Sequence, residues 1–177
     1  MTDDIIDEEL QIAKEQDQSN KKVLTGDIFE LPIHELDLPK AVCLEESSCI
    51  AEALTIMQEK RIGSIIITKN KKLSGIVTER DVLLKVAGLP IDLQSESVKS
   101  IMTENPTCLQ HIDMIAYVMN NMHVGGFRHV PIVDDNYVPM AMVSIKDVMS
   151  FILEYFPEEI QNITDVPYRG QYLRESA

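Results

Sequence analysis

Gly75-Ile76-Val77-Thr78-Glu79-Arg80-Asp81-Val82 is the stretch that decides how this chain is read. An apolar, β-branched run ends at a hydroxyl, an acid follows three residues later, and apolar residues continue beyond it. That pattern is a strand running into a helix N-terminus, with Thr78 and Asp81 at capping-box spacing. Shifted by 66 positions, the string returns as Ala141-Met142-Val143-Ser144-Ile145-Lys146-Asp147-Val148. Working outward, Ser64-Ile65-Ile66-Ile67 falls on Val130-Pro131-Ile132-Val133, and the turn Lys69-Asn70-Lys71-Lys72 on Asp134-Asp135-Asn136. Further upstream the shift is 65, with Val42-Cys43-Leu44 on Thr107-Cys108-Leu109 and the run from Ile50 to Leu54 on Ile115 to Met119. One inserted residue near Gly125-Gly126 is the expected cause of the change. A repeat of about 65 residues, present twice, is too long for a solenoid period and predicts two copies of one compact unit.

Each copy predicts the same order of elements. An extended lead-in (41–44; 106–109) precedes a helix with Ile50, Ala53, Leu54 and Met57, or Ile115, Val118, Met119 and Met122, on one face. Two strands follow (64–68 and 73–77; 130–134 and 139–143), then a helix from Thr78 to near Gly88, or from Ser144 to near Pro157. The fold class is α+β, a three-stranded sheet with two helices on one face in each unit. Neither unit buries its sheet alone at this size, so two pseudo-symmetric β-α-β-β-α units packed sheet to sheet are expected. The expected boundaries are an acidic tail or short helix over 1–32, units over 33–95 and 96–156, and an extension over 157–177. Ile5, Ile6, Leu10 and Ala13 suit a helix over 3–16; a solvated tail suits the same residues equally.

The chain has 177 residues and a formal charge of −13. Such acidity argues against duplex nucleic acid and against anionic membrane surfaces, both of which select basic faces. No apolar run approaches the ~18 residues of a membrane span. The start, Met1-Thr2-Asp3-Asp4, is acidic where a targeting peptide is basic. Three cysteines without a CxxC spacing argue against a disulfide framework, so a soluble cytoplasmic protein is expected. Cys43 and Cys108 occupy equivalent strand positions and read as small core residues. His34, His111, His123 and His129 lack metal-ligand spacing, so no metal and no obligatory cofactor are expected. No nucleophile–base constellation is visible.

The two hydroxyl-x-x-Asp strings, with Arg61-Ile62-Gly63-Ser64, Ser100-Ile101-Met102-Thr103 and Arg128-His129-Val130-Pro131-Ile132-Val133-Asp134, resemble the cystathionine-β-synthase (CBS) domain in tandem, often called a Bateman module. The resemblance covers residues 33–155. It implies a non-catalytic regulatory module that binds an adenosine ligand (AMP, ADP or ATP) between its two units, forms a homodimer, and acts on a partner protein that the sequence does not identify. It also implies that the Asp147 cleft takes the base against the backbone near Ala41 and Val42, and the Asp81 cleft against Pro106 and Thr107.

The chemistry agrees with that expectation. A ribose offers two vicinal hydroxyls, and an ionised carboxylate such as Asp81 or Asp147 accepts both in charge-assisted bonds. The Thr78 or Ser144 hydroxyl and the helix amides donate to phosphate. Gly75, lacking a Cβ, would let a nucleoside approach its strand, whereas Ala141 in the second copy would narrow the slot. Arg128, His129 and Lys146 supply positive charge beside Ser144; Arg61 and Arg80 do so in the first copy. The Asp147 cleft therefore ranks first for a phosphorylated ligand. The same hydroxyl-x-x-Asp spacing is also a purely structural capping box. A dimerisation scaffold with side-chain-filled clefts is accordingly the competing function.

Overall fold

The computed structural model describes residues 26–154; the expected helix over 3–16 and the extension over 157–177 lie outside them. The elements are β1 (Cys43–Glu45), α1 (Ile50–Lys60), β2 (Ser64–Lys69), β3 (Lys72–Thr78), α2 (Glu79–Lys85), β4 (Thr103–Glu104), β5 (Leu109–Gln110), α3 (Ile115–Gly125), β6 (His129–Val133), β7 (Pro139–Ser144) and α4 (Ile145–Glu154). β1 runs parallel to β2, and β3 antiparallel to it. β5, β6 and β7 repeat that arrangement. The strand-helix-strand-strand-helix order appears twice, as the periodicity predicts.

The expected three-stranded sheet is corrected in the first copy. β4 adds a fourth, antiparallel strand, with Gly75 opposite Glu104 and Ile76 opposite Thr103. Its counterpart in the other sheet is a single bridge between Lys40 and Ala141. The chain leading into each repeat thus closes the sheet edge of the other. A two-residue strand carries no period, so pattern reading cannot detect it.

A second crossing lies at the helix starts. The Ile50 amide donates to the Glu96 carbonyl (2.9 Å) and the Val98 amide to Ser48 (2.9 Å). Reciprocally, the Ile115 amide donates to Leu31 (2.9 Å) and the Ile33 amide to Asp113 (2.8 Å). The first amides of a helix have no intrahelical acceptor. Here the lead-in of each repeat supplies one to the opposite repeat and buries Ile33 or Val98 completely as it does so.

The strand registers relocate the inserted residue. Leu44 lies opposite Ile67 and Leu109 opposite Ile132, while Ile65 faces Val77 and Val130 faces Val143. The shift of 65 therefore persists through β6 and becomes 66 only at β7. The extra residue lies in the second hairpin, residues 134–138, and not at Gly125-Gly126. Matching β-branched runs by eye slips β2 by one position, and in a strand one position exchanges the faces. By register, Ser64 corresponds to His129 and Gly63 to Arg128.

Ile65 and Ile67 join Leu44, Ile50, Ala53, Met57, Val77 and Val98 in one core. Ile66, on the opposite face of β2, is equally inaccessible. Val130 to Val133 are likewise buried on both faces of β6. Strands covered on both sides, with helices on one, require the other sheet on the second, so the units pack sheet to sheet. Each fully buried isoleucine contributes about 1.5–3 kcal/mol. Cys43 is exposed and Cys108 half-buried, so neither is the core residue expected.

Gly75 is also reassigned. A Cβ there would meet Met102 Sδ at 2.6 Å and the Thr103 carbonyl oxygen at 3.0 Å. Its hydrogen lets β4 approach β3; it gives no access to a nucleoside. Gly75→Ala is expected to lower the unfolding free energy in urea by about 1–3 kcal/mol, the usual cost of overpacking. An unchanged urea midpoint would refute that packing role.

Candidate functional site

Both hydroxyl–acid pairs form closed capping boxes. In the first copy the Thr78 amide (3.0 Å) and hydroxyl (2.6 Å) donate to Asp81 Oδ2, and the Asp81 amide donates back to Thr78 Oγ1 (3.3 Å). In the second, the Ser144 amide (2.7 Å) and hydroxyl (2.7 Å) donate to Asp147 Oδ2, and the Asp147 amide returns to Ser144 Oγ (3.3 Å). The sequence signal for a cap is thus realised at both helix starts.

The second carboxylate oxygens differ. Asp81 Oδ1 accepts the Lys85 ammonium at 2.9 Å and the Thr103 hydroxyl at 3.4 Å. Asp147 Oδ1 has no hydrogen bond or ion pair among the described residues. A carboxylate offers about four lone-pair positions. Asp81 fills all of them internally, whereas Asp147 keeps one oxygen open. Burial works against the charge on Asp81, but the Thr78 hydroxyl, the Lys85 ammonium and the Thr78 amide hold its carboxyl below the usual carboxylate range.

Each acid borders a cavity. The Asp147 cavity, about 440 Å³, is reached by Lys40, Arg61, Arg128 and Lys146 against only two carboxylates, Glu79 and Asp147. A chain of charge −13 thus has a locally cationic pocket here. The Asp81 cavity, about 660 Å³, has Arg80 and Arg128 against Glu79 and Asp81, which balance. Gly63, Glu79, Arg128 and His129 border both cavities.

The residues singled out in the sequence distribute as follows. Ser144, Lys146, Asp147, Arg128, His129 and Val42 line the first of these cavities. Thr78, Arg80, Asp81, Pro106 and Thr107 line the second. Arg61, read with the first copy, borders the Asp147 cavity instead. It caps α1 in a left-handed conformation (φ 52°), where the equivalent cap of α3 is Gly126 (φ 65°). Gly75, Ala41 and Ala141 line neither cavity, so the Ala141 methyl narrows nothing; the Ala41 amide is spent on the Met140 carbonyl at 2.9 Å. The sequence pattern does not single out Glu79, Lys40 or Lys85 as site residues. Glu79 and Lys85 were visible as breaks in the repeat, facing Ile145 and Phe151 at the shift of 66.

His129 is half-buried where the cavities meet. Burial, then the neighbouring Arg128 charge, push its pKa below the ordinary 6.5, while Glu79 and Asp147 oppose the shift. A histidine with a lowered folded pKa binds more protons when unfolded, so stability falls as pH drops from about 6.5 toward the folded value. His129→Gln should remove that part of the pH dependence of the melting temperature. Superimposable pH–melting curves for the two proteins would contradict it.

Comparison with known proteins agrees with this architecture. The family model of the CBS domain matches twice, over residues 33–88 and 98–154. The CBS domain-containing protein CBSCBSPB3 of Arabidopsis thaliana is 30% identical over 112 residues, which are 63% of this chain and 20% of that protein. The chain therefore spans about a fifth of that plant relative's length. A 17.7 kDa protein of Acidianus ambivalens is 28% identical, with 69% of this chain and 73% of that protein covered. Among solved structures, the CBS domain protein PAE2072 from Pyrobaculum aerophilum, complexed with AMP, aligns with a TM-score of 0.62 at 27% identity, covering 71% of this chain and 98% of that one. With the duplicated fold, both family matches and these relatives in agreement, the chain belongs to the CBS domain family and carries the domain twice.

Proposed function

We propose that this CBS pair is a non-catalytic regulatory module that binds an adenine nucleotide of the AMP, ADP or ATP class in the Asp147 cavity. The carrying observation is the open Oδ1 of Asp147 at the edge of a cationic pocket. Its two free lone pairs match the two hydroxyls of a ribose diol, and the charge of Lys40, Arg61, Arg128 and Lys146 suits phosphate. The AMP complex of the P. aerophilum relative supports the ligand class. No metal or obligatory cofactor enters this reading.

A nucleotide wedged between two units changes their packing only through unequal affinity for the arrangements available to them. A partner protein would read that change. Leu83 and Leu84 on α2 and Ile145 and Met149 on α4 are exposed apolar side chains that suit a homodimer interface. The closed capping boxes favour one competing reading, a dimerisation scaffold that binds no ligand.

The two readings separate in calorimetry and melting. At a hundredfold excess over its dissociation constant, AMP should add about 2.7 kcal/mol of stability. That is a rise of roughly 5–10 °C at this chain length. Asp147→Asn keeps an acceptor for the Ser144 amide but lacks the full charge. It should weaken AMP by roughly ten- to a hundredfold while the apo protein changes by under about 1 kcal/mol. Arg61→Gly suits the left-handed backbone and should weaken AMP far more than adenosine. Equal AMP affinity in wild type and Asp147→Asn, or no AMP binding at millimolar concentration, would leave the scaffold.

The dimer is tested separately. Sedimentation equilibrium at micromolar concentration should give twice the chain mass of 20.0 kDa. A clean monomer would exclude the interface.

A further inference from the structure

We propose that Lys85 reserves nucleotide binding for the Asp147 cavity, so that each chain holds one adenosine ligand and not two. This rests on the reading of Asp147 as the ribose acceptor. The two halves are pseudo-symmetric and present the same hydroxyl–acid box, so symmetry alone predicts two equivalent sites. The difference is in what occupies the second carboxylate oxygen.

Lys85 lies one turn beyond Asp81 on α2 and is held in place from several directions. Its ammonium donates to the Ile101 carbonyl at 2.6 Å, approaches the Met102 carbonyl at 3.4 Å, and pairs with Asp81 Oδ1 at 2.9 Å. Lys85 is not among the residues that border the Asp81 cavity, and its side chain is 39% exposed, so it reaches the carboxylate from outside that cavity. The Asp81 side chain is only 12% exposed. With Thr78 on Oδ2 and Lys85 and Thr103 on Oδ1, a ribose diol has no vacant acceptor there and finds the charge already neutralised.

The second copy lacks both donors. The residue one turn beyond Asp147 is Phe151, which carries no cation. The stretch standing in for Thr103 is Leu38-Pro39, which carries no side-chain hydroxyl. Thr103 at 3.4 Å is a weak contact that a ligand could displace. Lys85, held by two carbonyls as well as the acid, is the stronger block. The Asp81 cavity is the larger of the two, about 660 Å³ against 440 Å³, so want of volume does not exclude a nucleoside.

Titration calorimetry with AMP tests this on the full chain. The wild type should take up one AMP per chain. Lys85→Met should take up two, the second within about tenfold of the first, with the first affinity unchanged. Lys85→Gln keeps a donor for the Ile101 carbonyl without the charge, and should also gain the second event if the methionine variant folds poorly. Adding Asp81→Asn to either variant should abolish the gained event alone. Two AMP per wild-type chain at comparable affinity would overturn the proposal, as would folded Lys85 variants that still bind one. Either result leaves the Asp147 site standing; a wild type that binds no AMP overturns that site together with the proposal.

Discussion

Everything in this fold depends on a reciprocal exchange of backbone hydrogen bonds at two helix starts. The amides of Ile50 and Ile115 are satisfied by carbonyls of Glu96 and Leu31, which lie in the segments leading into the opposite repeat. An unpaired buried amide costs roughly 1–3 kcal/mol, so neither helix start is self-sufficient. The same lead-ins continue to the sheet edges, where Thr103–Glu104 and Lys40 pair with β3 and β7. Their next residues, Val42 in one and Asn105 to Thr107 in the other, then border the two cavities. The position of each candidate acid relative to the cavity wall opposite it is therefore set by chain from the other repeat.

The two cavities differ because small departures from the repeat fall where they are felt most. Gly63 and Arg128 correspond by register, as do Glu79 and Ile145. Arg128 and Glu79 border both cavities, so the cationic surplus of the Asp147 pocket comes from Lys40, Arg61 and Lys146, against Arg80 alone beside Asp81. Duplicated geometry with unequal charge is how a symmetric scaffold acquires a preferred side.

Much of the fold was legible in the sequence. Ile65 to Ile67 and Val130 to Val133 announce strands buried on both faces, and the helix periods of Ile50–Met57 and Ile115–Met122 hold in the structure. The capping boxes were legible from Thr78-x-x-Asp81 and Ser144-x-x-Asp147 alone. What was not legible required register or long-range pairing. The inserted residue was assigned to Gly125-Gly126 because β-branched side chains match at either alignment of β2, and only cross-strand partners separate them. Gly75 looked like ligand access because composition cannot show that Met102 packs on it. Arg61 belongs to the first copy in sequence yet borders the Asp147 cavity, because a loop's sequence neighbours are not its spatial ones.

The crossed lead-ins have a consequence for how such a chain can be built. A polypeptide with one repeat and its own lead-in already carries both halves of the exchange, a donor helix and an acceptor segment. Two such polypeptides could close it between them as an isologous pair, at the cost of bringing two molecules together. The stretch between α2 and β4 makes the encounter intramolecular and replaces bulk concentration with a fixed, higher effective one. Once tethered, the halves no longer need to be identical. Each can accumulate substitutions the other does not share, and Lys85 and Arg128 are the marks of that freedom.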